Sequence, residues 1–265
     1  SHQPLDISYS PAYSLWPIAL PIMIAFIPII IYSFIRIFEN EGMRITYLDV
    51  GQGDSAVVEL PDNKTIVIDT GRRGFQTAGY LRYKGIKEID ALILSHGQSD
   101  HAGGTRYLLR NFKVHEIWDN GRLIYPEDFL AYMHENITRR RFQRGDIVEG
   151  KGYRITVLHP YDGFYTLHSD DNDENNDSIA LKIQGRKNAF LFSGDIEEEA
   201  EDDIAHLKEY LKSSVLKVPH HGSKTSTSQT FLSAVSPEVA VISVGRNNTY
   251  GHPHDETIET LDGVG

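Results

Sequence analysis

Five short apolar runs constrain this chain more than any other feature, because each leads, at once or after a short loop, to a histidine or an aspartate. The runs are TIVI, DALIL, NAFLF, VLKV and AVISV, and each has about the length of one β-strand. Runs of this length, bounded by polar or glycine-containing turns, predict strands that are buried on both faces. Segments with helical periodicity lie between them, so the pattern predicts an α/β fold.

The order of the predicted elements favours one architecture. Strands are predicted at MRITYLDV, SAVVEL, TIVIDT, IDALILS, VHEIWDN, YRITVLHP, SIALKIQ, NAFLFSGD, SVLKVPHH and AVISVG. Helices are predicted at AGYLRYKG, GGTRYLLRNF, PEDFLAYMHENI, IEEEAEDDIAHLKEYLK, SQTFLSAV and DETIETL, and a loop at YDGFYTLHSDDNDENND. Strands lead each half of the chain, and helices alternate with strands afterwards. This order predicts two sheets packed face to face with helices outside, an αββα sandwich.

The first forty residues differ from the rest of the chain. Residues 7–35 carry no charged side chain, and a bilayer core needs about 20 apolar residues in a helix. A signal peptide fits poorly, because no basic segment precedes the run. We therefore expect residues 1–40 to form a flank and one transmembrane helix, and residues 41–265 to form a separate domain. Arg36 and Arg44, which follow the run, weakly favour a cytoplasmic domain, but they are mixed with Glu39 and Glu41, so the side of the membrane stays open.

Histidines and aspartates collect just after the carboxyl ends of the predicted strands. They are Asp69; His96, Asp100 and His101; Asp195; His220 and His221; and His252 and His254. Strands of layered α/β folds commonly direct functional groups into a cleft at this edge. A single such histidine is usually a core residue, and Asp195 alone is equally compatible with a helix N-cap. Five strand ends of the same chemical kind favour a metal centre.

The chain has no cysteine, so it forms no disulfide, and a transition-metal site has to use histidine or carboxylate ligands. Such ligands suit Zn²⁺ and Mn²⁺. Two such ions about 3.5–4 Å apart clamp both the attacking and the leaving oxygens of a hydrolysis. We expect one or two divalent ions, with Asp195 as the carboxylate that bridges them.

Several segments resemble the metallo-β-lactamase fold superfamily. They are LDVGQGDSAVVELPDNKTIVIDTG, ALILSHGQSDHAGG, NDSIALKI, FLFSGDIEEEAE, LKVPHHGSKTSTSQTFL and AVISVGRNNTYGHP. The combination of VGQGDS, VPHHGS and YGHP is similar, more narrowly, to the C-terminal domain of the bacterial competence DNA-uptake channel family (ComEC-like proteins). That resemblance implies a hydrolase domain beside a membrane channel. It also implies a truncated chain, because relatives continue beyond YGHP.

The resemblance implies two metal sites that share Asp195. The ligands of the first are His96, the residue at 98, and His221 or its neighbour His220. The ligands of the second are Asp100, His101 and His252. Asp69 would orient a ligand from outside the metal site. Side chains of successive strand residues point in opposite directions, so His220 and His221 would not both bind metal if both continue the strand. We favour His221 as the metal ligand and expect His220 to contact the substrate or to support a ligand. The candidate catalytic residues are Asp100 and His220.

Gln98 departs from the superfamily pattern, which places histidine or aspartate at this position. A neutral amide oxygen is a weak ligand compared with imidazole or carboxylate. We therefore expect the first metal site to be weakened, while the second keeps its full set of ligands.

The resemblance implies a metal-dependent phosphodiesterase, a nuclease that acts on DNA during uptake across the bacterial inner membrane. Two alternatives remain: hydrolysis of a choline or cell-wall ester, and a metal-depleted domain that docks to or gates a DNA channel. The net charge of −11 argues against a passive polyanion-binding surface. The residues most suited to DNA contact are Arg139, Arg140, Arg141, Arg144 and Lys224. The arginine run is equally compatible with the solvated end of a helix.

Overall fold

Two six-stranded sheets face each other in the described part of the chain. The computed structural model describes residues 26–28, 42–125, 127–130, 133, 137–167 and 174–263. The first sheet has the strand order β1 to β6: Arg44–Tyr47, Ala56–Glu59, Thr65–Ile68, Glu88–Ile93, Lys113–Asp119 and Thr138–Arg141. The second has the order β12 to β7, with β7 to β12 at Ile147–Gly150, Tyr153–His159, Ala180–Gln184, Ala189–Phe192, Val215–Lys217 and Val239–Val241. Strands β3 to β6 pair in parallel, as do β10 to β12.

Three apolar clusters define the layers. The central cluster joins the inner faces of both sheets and includes Val58 and Ile93 from the first and Ile155 from the second. Val57, the neighbour of Val58, belongs instead to the outer cluster of the first sheet, as the two-residue period of a strand requires. Burial of each large apolar side chain contributes about 1.5–3 kcal/mol. The central cluster therefore holds the two sheets together.

Helices cover the outer face of each sheet. Those associated with the first sheet are α1 to α4, at Phe75–Tyr83, Ser99–Ala102, Thr105–Asn111 and Glu127–Leu130. Those associated with the second sheet are α5 to α8, at Asp162–Leu167, Glu198–Ala205, Gln229–Val235 and Asp255–Asp262. Leu81 and Leu108 pack on the first sheet, and Ile204 and Phe231 pack on the second. The predicted αββα sandwich is confirmed.

Two local predictions are wrong. The arginine run begins in β6, an exposed strand at the edge of the first sheet, and not at the end of a helix. The acidic segment predicted as a loop starts with helix α5, because Phe164 is buried against the outer cluster of the second sheet. Parts of that segment, at 168–173, and of the predicted helix at 126–137 lie outside the described residues.

The predicted transmembrane helix lies outside the described residues, apart from residues 26–28. Among the residues that the structure describes, no helix has both the length and the apolar character needed to cross a membrane. Residues 43–265 form one compact unit, which contains both sheets and the site described below.

Candidate metal centre

Asp69 and His101 form the inner wall of the site. Asp69 follows β3 directly, and its carboxylate accepts hydrogen bonds from the backbone N–H and the hydroxyl of Ser95 at 2.8 and 2.7 Å. His101 Nδ1 donates to Asp69 Oδ2 at 2.9 Å. The Nδ1 of His101 therefore carries the proton, and its Nε2 presents a lone pair to the centre. This is the arrangement that orients a metal-binding histidine, and it supports the predicted role of Asp69.

His221 enters from the second sheet in the same tautomer. Its Nδ1 donates to the Ser243 carbonyl at 2.9 Å, so its Nε2 also presents a lone pair. Strand β11 ends at Lys217, and His220 and His221 have left-handed backbone angles, with φ of 46° and 54°. The premise that both histidines continue the strand is therefore wrong. The turn nevertheless separates them, because His221 is buried and His220 is partly exposed.

The two imidazoles converge on Asp195. His101 Nε2 and His221 Nε2 are 3.3 Å apart, and they lie 3.1 and 3.3 Å from Asp195 Oδ2. Asp100 Oδ2 lies 3.5 Å from His221 Nε2. Lone pairs and carboxylates that face one another at these distances repel unless positive charge lies among them. The donor set therefore fits a divalent cation, and its nitrogen and oxygen atoms suit Zn²⁺ or Mn²⁺.

The pKa values of His101 and His221 also indicate that the site favours positive charge. Burial by itself lowers the pKa of His101, but the Asp195 and Asp69 carboxylates raise it well above its usual value. Burial lowers the pKa of His221 too, yet Asp195, Asp100 and Asp54 raise it to about 12. A bound cation would supply this charge in place of the protons.

Asp54 is a residue of the site that the sequence analysis did not identify. Asp54, His101, Asp195 and His221 offer ligand atoms that all lie within 4.8 Å of one another. Asp54 Oδ1, however, faces the outer nitrogen of His221, at 3.5 Å from Nδ1. Asp54 Oδ2 pairs with the buried Lys217 ammonium at 2.7 Å. Asp54 therefore places a buried carboxylate beside His221, whose ring is oriented by the Ser243 carbonyl, and Lys217 balances the charge of that carboxylate.

His96, a predicted ligand of the first metal, has a buried Nε2 atom that is available to a cation. The Ser95 hydroxyl donates to Asp69, so its oxygen accepts from His96 Nδ1 at 3.0 Å. His96 Nε2 and Asp195 Oδ1 are buried and have no hydrogen-bond partner among the described residues. Burial, with the adjacent His101 charge, lowers the pKa of His96 to about 4 and keeps the ring neutral. Both orphaned atoms are available to a second cation.

Gln98 is held in a chain of side-chain contacts beside the site. Its amide Nε2 donates to Asn175 Oδ1 at 2.5 Å, and Asn175 Nδ2 donates to Glu197 Oε1 at 3.2 Å. The same carboxylate oxygen lies 2.8 Å from His220 Nδ1 and accepts from the Thr225 hydroxyl at 3.0 Å. Glu197 and Asn175 therefore fix Gln98 and His220 at the edge of the metal site.

A cavity of about 400 Å³ opens above the site. Its lining includes Gln98, Asp100, Asp195, His220, His221 and His252, together with Gln52, Arg72 and Tyr250. A volume of this size is typical of pockets for small ligands and accommodates one nucleotide-sized group. The predicted metal and catalytic residues that border it thus face a common space.

His252, a predicted ligand of the second metal, lies farther out. Its ring centroid is 6.4 Å from that of His221 and 5.5 Å from that of His220. Its Nδ1 is buried and has no hydrogen-bond partner in the described part of the chain. His252 borders the cavity without joining the four residues that converge. Its role as a ligand stays a prediction.

The residues predicted to contact DNA lie away from the cavity. Arg139 pairs with Asp119 at 2.6 Å and Arg140 with Glu116 at 3.2 Å. Arg141 pairs with Asp162, and Arg144 with Asp203. Lys224 is exposed and lines a separate cleft of about 190 Å³. The carboxylate partners offset the charge that the four arginines would offer to phosphate, so their contact with DNA stays a prediction.

The VGQGDS loop packs directly against the segment that carries Asp100. Gly53 has a φ of 127°, and a Cβ atom at this position would overlap the Asp100 carbonyl oxygen. Gly51 also has a positive φ, of 80°, but a Cβ there would meet no atom within 4 Å. An alanine at either position strains the backbone, but only an alanine at Gly53 also clashes with Asp100. Comparison of the two substitutions therefore separates the effect of strain from the effect of the clash.

We expect Gly53→Ala to lower the free energy of unfolding by more than the ~1–3 kcal/mol of backbone strain alone. It should also weaken metal binding about tenfold, because Asp100 has to move. Denaturant unfolding and metal titration measure the two effects. Gly51→Ala is the matched control, with strain but unchanged metal affinity. Equal metal affinity in both variants would contradict the role given to the Gly53–Asp100 contact.

The sequence and the fold both match known proteins. Residues 48–246 match the family model of the Metallo-beta-lactamase superfamily. The solved structure of Tm1679, a metal-dependent hydrolase of the beta-lactamase superfamily, has a TM-score of 0.53 and 16% identity. The match covers 83% of this chain and 92% of that structure. At this identity the likeness concerns the fold.

Two curated relatives are similar to most of this chain. The "ComE operon protein 3" of Bacillus subtilis is 32% identical over 251 residues, which cover 84% of this chain and 31% of the relative. The "Recombination protein 2" of Haemophilus influenzae is 33% identical over 225 residues, which cover 82% and 26%. The chain thus spans about a third or less of the length of these relatives.

Proposed function

This chain belongs to the metallo-beta-lactamase superfamily, and on that premise we propose that it is a metal-dependent phosphodiesterase that cleaves DNA. The observation that carries the proposal is the convergence of His101 Nε2, His221 Nε2 and Asp195 Oδ2 within 3.1–3.3 Å of one another. These atoms would hold a divalent ion, with Asp100 beside them. The superfamily match and the competence relatives support the choice of a hydrolase and of DNA as substrate.

A divalent ion at this centre supplies a Lewis acid, which makes a nearby water molecule more acidic and stabilises negative charge on a phosphoryl oxygen. The residues of the chain orient and insulate that centre. Asp69 and the Ser243 carbonyl hold both histidine rings in the tautomer that presents Nε2 inwards. His220, held by Glu197, borders the cavity, where it is placed to hydrogen-bond a bound phosphate ester. Burial of Asp195 excludes bulk water from the ligands.

The setting of the reaction is part of the proposal. The curated relatives are a ComE operon protein and a recombination protein, which supports a role in DNA uptake at the bacterial cell membrane. We propose that the rest of a membrane channel is the partner of this domain and that DNA is its substrate. The predicted helix within residues 7–35 would tether it there.

Cleavage assays on the purified chain test this function. Single- and double-stranded DNA and a small aryl phosphodiester are incubated with Mn²⁺, with Zn²⁺ or with a chelator, and the products are separated. Metal-dependent cleavage of DNA is the expected result. Cleavage of the small ester alone would favour a non-nucleic-acid substrate instead. No cleavage of any substrate, with less than one metal ion bound per chain, would favour a docking or gating domain.

Gln98 provides a separate prediction about the number of metal ions. The Gln98→Asp variant adds a carboxylate to the lining of the cavity that Asp195 also borders, near a site in which His96 Nε2 and Asp195 Oδ1 have no hydrogen-bond partner among the described residues. We expect bound metal to rise from about one ion to about two ions per chain, measured by elemental analysis after dialysis. Gln76→Asp, on the exposed face of α1, adds the same charge and should leave the metal content unchanged. An unchanged content in Gln98→Asp would contradict the weakened first site.

A further inference from the structure

Tyr250 presents an aromatic ring to solvent at the cavity that faces the metal centre. The residue is 59% exposed. It borders the same cavity as Asp195 and His221. The ring stacks on His252, with centroids 5.6 Å apart and planes inclined by 25°. The exposed part of the Tyr250 ring is therefore available to a ligand in the cavity.

Side-chain hydrogen bonds from Asn248 and Gln52 hold the loop that carries this pair. Asn248 Oδ1 accepts hydrogen bonds from the backbone N–H groups of Tyr250 at 3.1 Å and His252 at 3.0 Å. Asn248 Nδ2 donates to the carbonyls of Gly245 at 3.0 Å and His252 at 2.7 Å. Gln52 Oε1 in turn accepts from Gly245 N–H at 3.2 Å. The aromatic pair is thus fixed before a ligand arrives, which reduces the entropy lost on binding.

Arg72 supplies a positive charge at the same cavity. It is exposed and lies among the lining residues. In the described part of the chain no carboxylate lies within ion-pair distance of its guanidinium, in contrast to Arg139 and Arg140 at the edge of the first sheet. An arginine without a carboxylate partner is free to bind a phosphate group with its planar fork of donors.

We infer that Tyr250 and Arg72 form a nucleotide-binding pair, in which Tyr250 stacks on an unpaired base and Arg72 binds the adjoining phosphate. The inference rests on the proposed function and names its substrate class, a single-stranded polynucleotide. A base inside a duplex has neighbours on both faces and offers none to a side chain, so stacking on Tyr250 requires an unpaired base. The cavity of about 400 Å³ is also large enough for one nucleotide.

Binding measurements test this pair independently of cleavage. Fluorescence anisotropy with Mn²⁺ present follows a labelled single-stranded oligothymidylate with hydrolysis-resistant phosphorothioate linkages. An abasic strand with the same linkages and a duplex of the same length serve as comparison ligands. Tyr250→Ala should weaken oligothymidylate binding about 5- to 150-fold, and the preference for oligothymidylate over the abasic strand should disappear. Tyr250→Phe should retain that preference, which excludes a simple folding defect.

Two exposed residues outside the cavity lining provide matched controls. Tyr83 is 86% exposed on α1, and Tyr83→Ala should bind as the wild type does. Arg72→Ala should reduce the slope of log affinity against log salt by about one phosphate contact, whereas Arg73→Ala should not. Equal binding by wild type and Tyr250→Ala, or duplex binding as tight as single-strand binding, would overturn the inference. If the wild type bound none of the three ligands, the inference would also be overturned. Failure of DNA cleavage alone would overturn the proposed function and leave the binding result to be judged separately.

Discussion

Asp195→Asn is expected to abolish metal binding at the converging site. The amide keeps the size of the side chain but removes the negative charge that both His101 and His221 face at 3.1 and 3.3 Å. Loss of partners that only orient metal ligands typically costs about 10–100-fold in metal affinity, so loss of a ligand should cost more than about 100-fold. Competition with a chromophoric chelator measures the affinity for Zn²⁺ or Mn²⁺. DNA cleavage should fall in parallel.

Asp202 provides the control for this change. It lies on α6, seven residues from Asp195, and its side chain is exposed. Asp202→Asn therefore changes net charge by the same amount without touching the site, and it should bind metal as the wild type does. A wild-type affinity in Asp195→Asn would show that the three converging atoms do not hold the metal.

Lys217→Met is expected to destabilise the fold more than any surface substitution. The Lys217 ammonium is buried and pairs with Asp54 at 2.7 Å. Its removal leaves a buried carboxylate without its cation, which costs about 3–5 kcal/mol. For a domain of this size that loss corresponds to a decrease in Tm of about 6–20 °C. Denaturant and thermal unfolding measure the effect.

Two further variants show where this cost originates. Lys113→Met removes an exposed ion pair with Glu88, whose side chains are 65% and 54% exposed, and should change stability by no more than about 0.5 kcal/mol. The double variant Lys217→Met with Asp54→Asn should recover most of the loss, because no bare charge remains buried. If the single and double variants were equally unstable, the loss would come from packing and not from the ion pair.

The layered fold was predictable because its signal is local. Runs such as TIVI and DALIL fix strands through burial on both faces, and their carboxyl ends indicated the edge at which Asp69, His101 and Asp195 collect. The turn at His220 was not predictable, since the backbone there adopts a left-handed conformation that neither residue favours by itself. Tertiary contacts, such as the hydrogen bond from His221 to the Ser243 carbonyl, impose it.

The missed residues are those whose role depends on distant partners. Lys217 stands alone in the apolar run VLKV, and a lysine there signals a buried acidic partner. The chain has 37 acidic residues, however, and only the docking of the two sheets identifies Asp54 among them. Asn175 and Glu197 are similar cases, because Asn175 contacts Gln98 across 77 residues and Glu197 contacts His220 across 23 residues of sequence. The position of Arg72 at the cavity likewise depends on the tertiary structure. So does the pairing of Arg139 and Arg140 with carboxylates, which distinguishes them from Arg72.

The distribution of the metal ligands between the two halves of the chain has a consequence for protein synthesis. Asp69, Asp100 and His101 follow strands of the first sheet, whereas Asp195 and His221 follow strands of the second. A chain that is still being translated, and has not yet released residues 195 to 221 from the ribosome, lacks the half of the proposed ligands that follows strands of the second sheet. Domains fold as units once enough of their sequence is available. The complete set of proposed metal ligands is therefore present only after both sheets are complete and docked, so a partly made chain lacks the site.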